Sequence, residues 1–401
     1  MNHGDAKRAG RPNAFNRRRM LSAGATMLAS TAVGCGESAR RMAAPASPIP
    51  LVAATPGAIP GYTDPEKWEG WTLRVAAARA GVGAAIMAVI AEPFAVATGC
   101  TIEAKVTDYA ELVRSVEEGD PYADAVVVDP IWARDARNTD YLLPISRSTF
   151  SGDAIDLFDV DLWSVPAYAY AMVSAYREEA IPALAAPPGS WAEWWDAKAY
   201  RGNRALRKGA LGTFEFALLA DSVPPESLYP LDFPRAIDSL RRISGRIVDR
   251  WWESSVRPIS WLARGAVDYA SAWSHLLWQV GQDGTPVPWV WDQGLVMADR
   301  WVIPDGVLYI ELVADFLQYA THPVVQAALA RAIGVGPVTS AAFAEIERPL
   351  AQTLPTAPEN LPLLIHADIS WWSKHEAEAA QWFNNWLLGV GSDAFDRGRD
   401  A

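Results

Sequence analysis

The stretch from Trp71 to Val128 constrains the fold more than any other, because it reads strand, helix, strand, helix, strand. Trp71 to Ala78 is a compact strand candidate, and Gly81-Val82-Gly83 leads from it into a helical run with Met87, Ile90, Phe94 and Ala97 at three- and four-residue spacing. Gly99 closes that helix, while Pro93 within it predicts a kink or a break. Thr101 to Val106 forms a second strand, Tyr109 to Glu118 a helix, and Ala123 to Val128 a third strand ending in Asp129-Pro130. This order at this spacing argues for a parallel sheet joined by right-handed crossovers. Ligands of such sheets sit at the carboxyl ends of the strands, so Arg79 to Gly83 and Asp129 to Trp132 share one mouth.

Further along, Val165 to Ser174 is a strand with Tyr168 and Tyr170 on one face. Ser190 caps a short helix carrying Trp191, Trp194 and Trp195, with Glu193 three places after the cap. Thr213 to Ala220 and Pro234 to Ile243 read as helices, and Val267 to Ala270 as a strand leading to Trp273. Val296 to Ile303 is a mostly apolar strand halted by Pro304 and Gly306, with Asp299 at the point where it enters a buried layer. A carboxylate there needs a partner: a ligand, or an internal base such as Arg300. Helices follow at Leu308 to Ala320, Val324 to Ala332 and from Ile369, the last placing Trp372, Ala379, Phe383, Trp386 and Leu387 on a core face.

The beginning of the chain reads differently. Asn16-Arg17-Arg18-Arg19-Met20-Leu21 precedes a weakly apolar run from Leu21 to Val33, too short to span a bilayer and rich in small residues. It resembles a twin-arginine export leader, and its end, Ala32-Val33-Gly34-Cys35, resembles a bacterial lipid-attachment box. Acylation of Cys35 would hold the chain to a membrane by lipid alone. Cys100 would then be the only other cysteine, which leaves no disulfide. The Pro- and Ala-rich stretch up to Gly70 reads as a tether. Beyond residue 35 the chain carries 29 basic against 46 acidic side chains, a net charge of −17. That balance disfavours nucleic acid and anionic membrane surfaces as partners.

Catalytic motifs are sparse. There is no Gly-x-Ser-x-Gly elbow, no phosphate-loop Gly-Lys-Ser/Thr and no His-Glu-x-x-His, and the five histidines show no ligand spacing. Gly81-Val82-Gly83-Ala84-Ala85-Ile86 is two-thirds of a dinucleotide fingerprint, which keeps an exported oxidoreductase open as an alternative, although Ile86 replaces the third glycine and Glu103 lies within its strand. The plainer reading is a tight turn whose amides face a cleft. Tryptophan is abundant, at 19 residues. Most serve packing, but Trp132, Trp273, Trp289 and Trp291 fall where strands meet the expected cleft. Aromatic walls with isolated carboxylates suit an organic ammonium.

Several segments, in order, carry a family resemblance: Phe94-Ala95-Val96-Ala97-Thr98-Gly99, Tyr122 to Val128, Val165-Pro166-Ala167-Tyr168-Ala169-Tyr170, Pro187-Pro188-Gly189-Ser190-Trp191 with Trp195-Asp196, Leu228-Tyr229-Pro230-Leu231-Asp232 and Trp301-Val302-Ile303-Pro304. From Trp71 to Leu388 the chain resembles the extracellular solute-binding proteins of ABC importers, the spermidine/putrescine-binding group in particular. The resemblance implies an α/β, two-lobe type II periplasmic-binding-protein fold with two crossover strands, closing on its ligand by a hinge. Lobe one would comprise 71–169 and 299–345, and lobe two 170–298 and 346–401, after a leader at 1–35 and a tether at 36–70.

The resemblance further implies that Asp299 receives a ligand amine, that Trp132 and Trp273 wall the pocket, and that Glu215 supplies a second-lobe carboxylate. Asp129 and Gly81 join them at the mouth, and Arg79 there is either an anion contact or a salt bridge. The alternative for Glu215 is a solvated helix face. Three departures are visible: Ala78-Arg79-Ala80-Gly81 replaces the aromatics that polyamine binders carry after the first strand, Met297 replaces the aromatic beside Asp299, and Gly212 stands where an acid is expected. They leave room for a ligand that also bears a carboxylate. The expectation is an exported, monomeric, non-enzymatic substrate-binding component without cofactor or metal, capturing a small organic cation or zwitterion for an ABC permease. The alternatives are the oxidoreductase, or the same fold taking an anionic or opine-like ligand.

Overall fold

In the computed structural model, residues 56–389 are described, apart from 57, 79–80, 147–154, 183–184 and 248–249. The leader, Cys35 and Arg79 lie outside the described residues.

Strands β1 (Thr72–Ala77), β2 (Thr101–Val106) and β3 (Ala125–Val128) pair in parallel with β1 in the middle. All four residues of β3 are buried, as an apolar inner parallel strand requires. The helix after β1 runs over Val82–Ile86, widens into a π turn at Met87–Ala91, and resumes at Glu92–Thr98. Pro93 thus begins a new α-helical segment, where its missing N–H is least costly. The break expected from the sequence takes the form of that wide turn. Gly99 ends the helix at φ 79°, and a Cβ there would lie 1.8 Å from the Pro65 carbonyl oxygen.

Strands β4 (Val165–Tyr176), β5 (Arg204–Arg207), β6 (Trp251–Trp252), β7 (Tyr269–Trp273), β8 (Trp289–Val302) and β9 (Ile365–His366) complete one sheet. Its order is β2-β1-β3-β8-β4-β7-β5-β6, with β9 beside β8. β4 and β8 are antiparallel and 12 and 14 residues long, so they run through both halves of the sheet. They are the two crossing strands of a two-lobe α/β fold. One end packs in a core with Phe94, Trp301 and Phe316, and the other in a core with Trp191, Phe214, Phe216 and Trp252. Burial of these rings is the main stabilising contribution in each half, at roughly 2–3 kcal/mol per large side chain.

One expectation changes. Residues 58–70, assigned to the tether, pack against the first core: Ile59 is 2% exposed, the Trp68 indole donates to Asp315 Oδ2 at 2.7 Å, and Lys67 pairs with the same carboxylate at 2.8 Å. The aromatic and apolar side chains of Ile59, Tyr62 and Trp68 outweigh the Pro/Gly content from which a tether was read. In β8, Gln293 adopts φ 58° in a bulge between Val290 and Leu295, and its side-chain and backbone oxygens accept from the Trp191 amide and indole, each at 3.0 Å. The helix Ile369–Leu387 has the expected core face, with Trp372, Ala379 and Phe383 buried.

Candidate functional site

Asp299 lies on β8 directly opposite Tyr168 of β4. Alternation along β4 brings Tyr168 and Tyr170 to the same side, and their hydroxyls donate to Asp299 Oδ2 at 2.5 Å and Oδ1 at 2.7 Å. Burial nevertheless pushes the carboxyl up to about 6, against the pull of the two tyrosines, and the Asp129 charge adds to the rise. Arg300, the internal partner considered from sequence, points the other way. It bonds Ser164 Oγ at 2.5 Å, the Asp159 carbonyl at 2.7 Å and Asp161 at 3.3 Å. Among the described residues no cation pairs with Asp299. Met297 is buried opposite Tyr170, so the aromatic missing from β8 is supplied by the neighbouring strand.

The wall from the first half of the sheet is built on Asp129. Its Oδ1 accepts from the Trp132 amide at 2.9 Å, capping a short helix, and its Oδ2 accepts from the Tyr109 hydroxyl at 2.8 Å. The Tyr109 ring stacks on Trp132 with centroids 5.2 Å apart. Tyr109 also lines a cavity of about 600 Å3 with Ala78, Lys105 and Tyr122. Gly81 caps the helix after β1 at φ 48°. The tighter constraint is at Gly83, where a Cβ would lie 1.6 Å from the Ala78 carbonyl oxygen. That second glycine serves chain packing, and Glu103 pairs with Lys105 at 2.5 Å on its strand, so the dinucleotide fingerprint has a local structural explanation.

From the second half, Trp273 ends β7 and meets the Tyr170 ring edge-on at 5.2 Å. His275 flanks the same ring at 5.9 Å; burial pushes it down to about 4, so it is neutral near pH 7. Arg207, at the end of β5, was not singled out from sequence because Arg204-Ala205-Leu206-Arg207 is too short to read as a strand. Its guanidinium is packed against Gly209, where a Cβ would come within 2.8 Å, and its bond is to the Leu211 carbonyl at 3.3 Å. Burial lowers its pKa, while Glu215, Glu376 and Tyr170, all within electrostatic reach, raise it. Among the described residues no carboxylate lies within ion-pairing distance of Arg207.

Glu215 is not on a solvated helix face: its charge reaches Arg207, but its hydrogen bonds are all made inside the core. It is fully buried, and it accepts from the Tyr229 hydroxyl at 2.8 Å, the Trp372 indole at 2.8 Å and the Gly212 amide at 2.8 Å. With those bonds made inside the core, it binds the helix Thr213–Ala220 to the helix Ile369–Leu387. Trp289 is elsewhere, lining a different cavity, and Trp291 lies in the β8 bulge.

The model of the family described as bacterial extracellular solute-binding protein matches residues 89–359, which span both halves of the sheet. The chain belongs to that family. Among its relatives, this solute-binding protein is 34% identical over 227 residues to a γ-aminobutyric acid-binding protein of Pseudomonas aeruginosa, a match covering 55% of this chain and 63% of that relative. A solved γ-aminobutyrate receptor shares 28% identity with a TM-score of 0.71, covering 79% of this chain and 97% of that one. An ABC-transporter substrate-binding protein of Bradyrhizobium japonicum shares 29% identity with a TM-score of 0.73, covering 79% of this chain and all of that one. The spermidine/putrescine-binding protein of Streptococcus pneumoniae, at 15% identity and a TM-score of 0.64, shares the fold.

Proposed function

We propose that this chain is the exported substrate-binding component of an ABC importer and captures a small zwitterion of the ω-amino acid class, such as γ-aminobutyrate. Asp299 and the rings of Tyr170 and Trp273 receive the ammonium, and Arg207 receives the carboxylate. The observation that carries this reading is a pair of half-buried, opposite charges, Asp299 on the crossing strand β8 and Arg207 at the end of β5, neither ion-paired among the described residues. Both flank Tyr170. A ligand with charges at its two ends would satisfy both, and a simple amine would satisfy Asp299 alone. The P. aeruginosa relative, named for γ-aminobutyric acid, supports the same class.

Asp129, Trp132 and Tyr109 close from lobe one, with lobe boundaries near 71–169 with 299–345 and 170–298 with 346–401. Ligand contacts made only in the closed form shift the hinge equilibrium, and the permease reads that form. Arg79 lies outside the described residues, and its place at the mouth remains part of the proposal. So does lipid attachment at Cys35, which metabolic labelling with a fatty-acid analogue tests against Cys35→Ala. A thermal-shift screen of amines, ω-amino acids and oxyanions tests the ligand class: ω-amino acids should raise the melting temperature most, and oxyanions acting alone would contradict the assignment of Asp299.

A further inference from the structure

The two tyrosines on Asp299 owe their place to one irregularity in β4. Val165 and Pro166 pair with Trp301 and Arg300 of β8, whereas Tyr168 and Ala169 pair with Asp299 and Ala298. Ala167 is therefore the extra residue of a β-bulge, with no partner of its own in the ladder. If the Pro166–Arg300 register continued, Ala167 would stand opposite Asp299 and Tyr168 opposite Ala298. Because side chains alternate across a sheet, Tyr168 and Tyr170 would then lie on the face away from the carboxylate. The bulge is what brings both hydroxyls to it.

A bulge leaves backbone groups that the ladder does not satisfy. Gln326, in the helix Pro323–Ile333, meets the one at Ala167: its Nε2 donates to the Ala167 carbonyl at 2.9 Å. The same nitrogen donates to the Ala320 carbonyl at 2.8 Å, and Oε1 accepts from the Val338 amide at 3.1 Å. Gln326 is 1% exposed, so these bonds are made without competition from water. Two residues before Val338, Gly336 exchanges both backbone bonds with Ala169, each at 2.8 Å. β4 is thus held on either side of Tyr168 by groups outside its pairing with β8.

We infer that Gln326 is a positioning residue for the ligand site: by holding the Ala167 bulge it sets the register that places the Tyr168 and Tyr170 hydroxyls on Asp299. Its bearing on binding rests on the reading of Asp299 as the ammonium acceptor. A primary amide suits the task, since one planar group supplies two N–H donors and an acceptor. An apolar side chain of the same size would strand the Ala167 carbonyl and the Val338 amide. Moving the extra residue along β4 would relieve the carbonyl and carry the tyrosines off Asp299.

The test follows the Asp299 carboxyl in the empty protein by NMR of isotope-labelled aspartate, its resonance identified by its loss in Asp299→Asn. The groups that reach this carboxyl are Tyr168 and Tyr170 on β4 and, from the first half of the sheet, Asp129 and Tyr109. Both tyrosine bonds favour the ionised form, so losing them raises the titration midpoint from about 6. Gln326→Met should raise it by at least about half a pH unit, and should add nothing in a chain that already carries Tyr168→Phe and Tyr170→Phe. A loss of stability alone would leave the midpoint of the folded protein where it was. Calorimetry at about pH 8 should show γ-aminobutyrate bound at least about fivefold more weakly by Gln326→Met, because the acid is no longer held in place. Gln326→Asn, neutral and one methylene shorter, serves if Gln326→Met does not fold. Where the unsubstituted chain binds γ-aminobutyrate, an unchanged midpoint or an unchanged Kd in a folded Gln326 variant overturns the inference and leaves the proposed function standing. An equal rise in the chain carrying both Phe substitutions also overturns it, since Gln326 would then act without the tyrosines. Failure of γ-aminobutyrate to bind the unsubstituted chain overturns the proposed function, and the midpoint still decides whether Gln326 places the tyrosines.

Discussion

Tyr170 donates its hydroxyl to Asp299 at 2.7 Å across adjacent antiparallel strands, while its ring is flanked edge-on by Trp273 and His275. One tyrosine thereby orients the carboxylate and builds part of the aromatic wall. Because Tyr168 holds the other oxygen at 2.5 Å, the acid is fixed in place before any ligand arrives. Such preorganisation reduces the ordering cost of binding.

Replacing Asp299 by Asn should separate binding from stability. The amide keeps the shape but loses the charge, so ammonium ligands should bind about 100-fold more weakly, a loss of roughly 2–3 kcal/mol. The empty protein should melt at a higher temperature near pH 7, because a buried, unpaired charge has been removed. Calorimetry and thermal denaturation of the same variant check both signs.

Binding should weaken in acid. Asp299 is held up to about 6, against an ordinary value of 3.8, so it loses its charge as the pH falls through that range. Dissociation constants for an ammonium ligand should be flat above about pH 7 and rise toward tenfold per pH unit below 6. For the empty protein the sign is reversed: the destabilisation from ionised Asp299 is fully present above pH 6 and absent below about 4. A titration series from pH 4.5 to 8 measures the first, and melting over the same range the second.

Arg207→Met should discriminate by ligand. Affinity for γ-aminobutyrate should fall about 30- to 100-fold, whereas a simple alkylamine, having no carboxylate to lose, should bind no worse than before. Competition measurements with both ligands check the difference.

Glu215 should behave as a structural residue. Glu215→Ala strands the Tyr229, Trp372 and Gly212 donors and should cost about 2–4 kcal/mol, while Glu215→Gln keeps an acceptor for two of them and should cost about 1 kcal/mol. Denaturant unfolding measures both.

The strand and helix order over residues 72–128 was legible because Gly99, Pro93 and the apolar spacing are local signals that the structure retains. Asp299 and Trp273 were legible as candidates because an acid in an apolar strand and a Trp after a strand are anomalies in sequence. Their connection through Tyr170 was not, since it depends on the register of β4 against β8. Glu215 misled for the opposite reason: a carboxylate in the first turn of a helix looks exposed, and its partners Tyr229 and Trp372 are 14 and 157 residues away. Arg207 was missed because a four-residue strand gives no periodic signal. The polyamine resemblance conveyed the fold, while the chemistry of the ligand depends on such long-range pairings.

The most direct test of the account is calorimetric titration of the unsubstituted protein with γ-aminobutyrate, n-butylamine and butyrate, which present both charges, the ammonium alone and the carboxylate alone. If Asp299 and Arg207 grip opposite ends of one ligand, γ-aminobutyrate should bind at least about 30-fold more tightly than either single-ended analogue. Butylamine or butyrate binding as tightly as γ-aminobutyrate would contradict it.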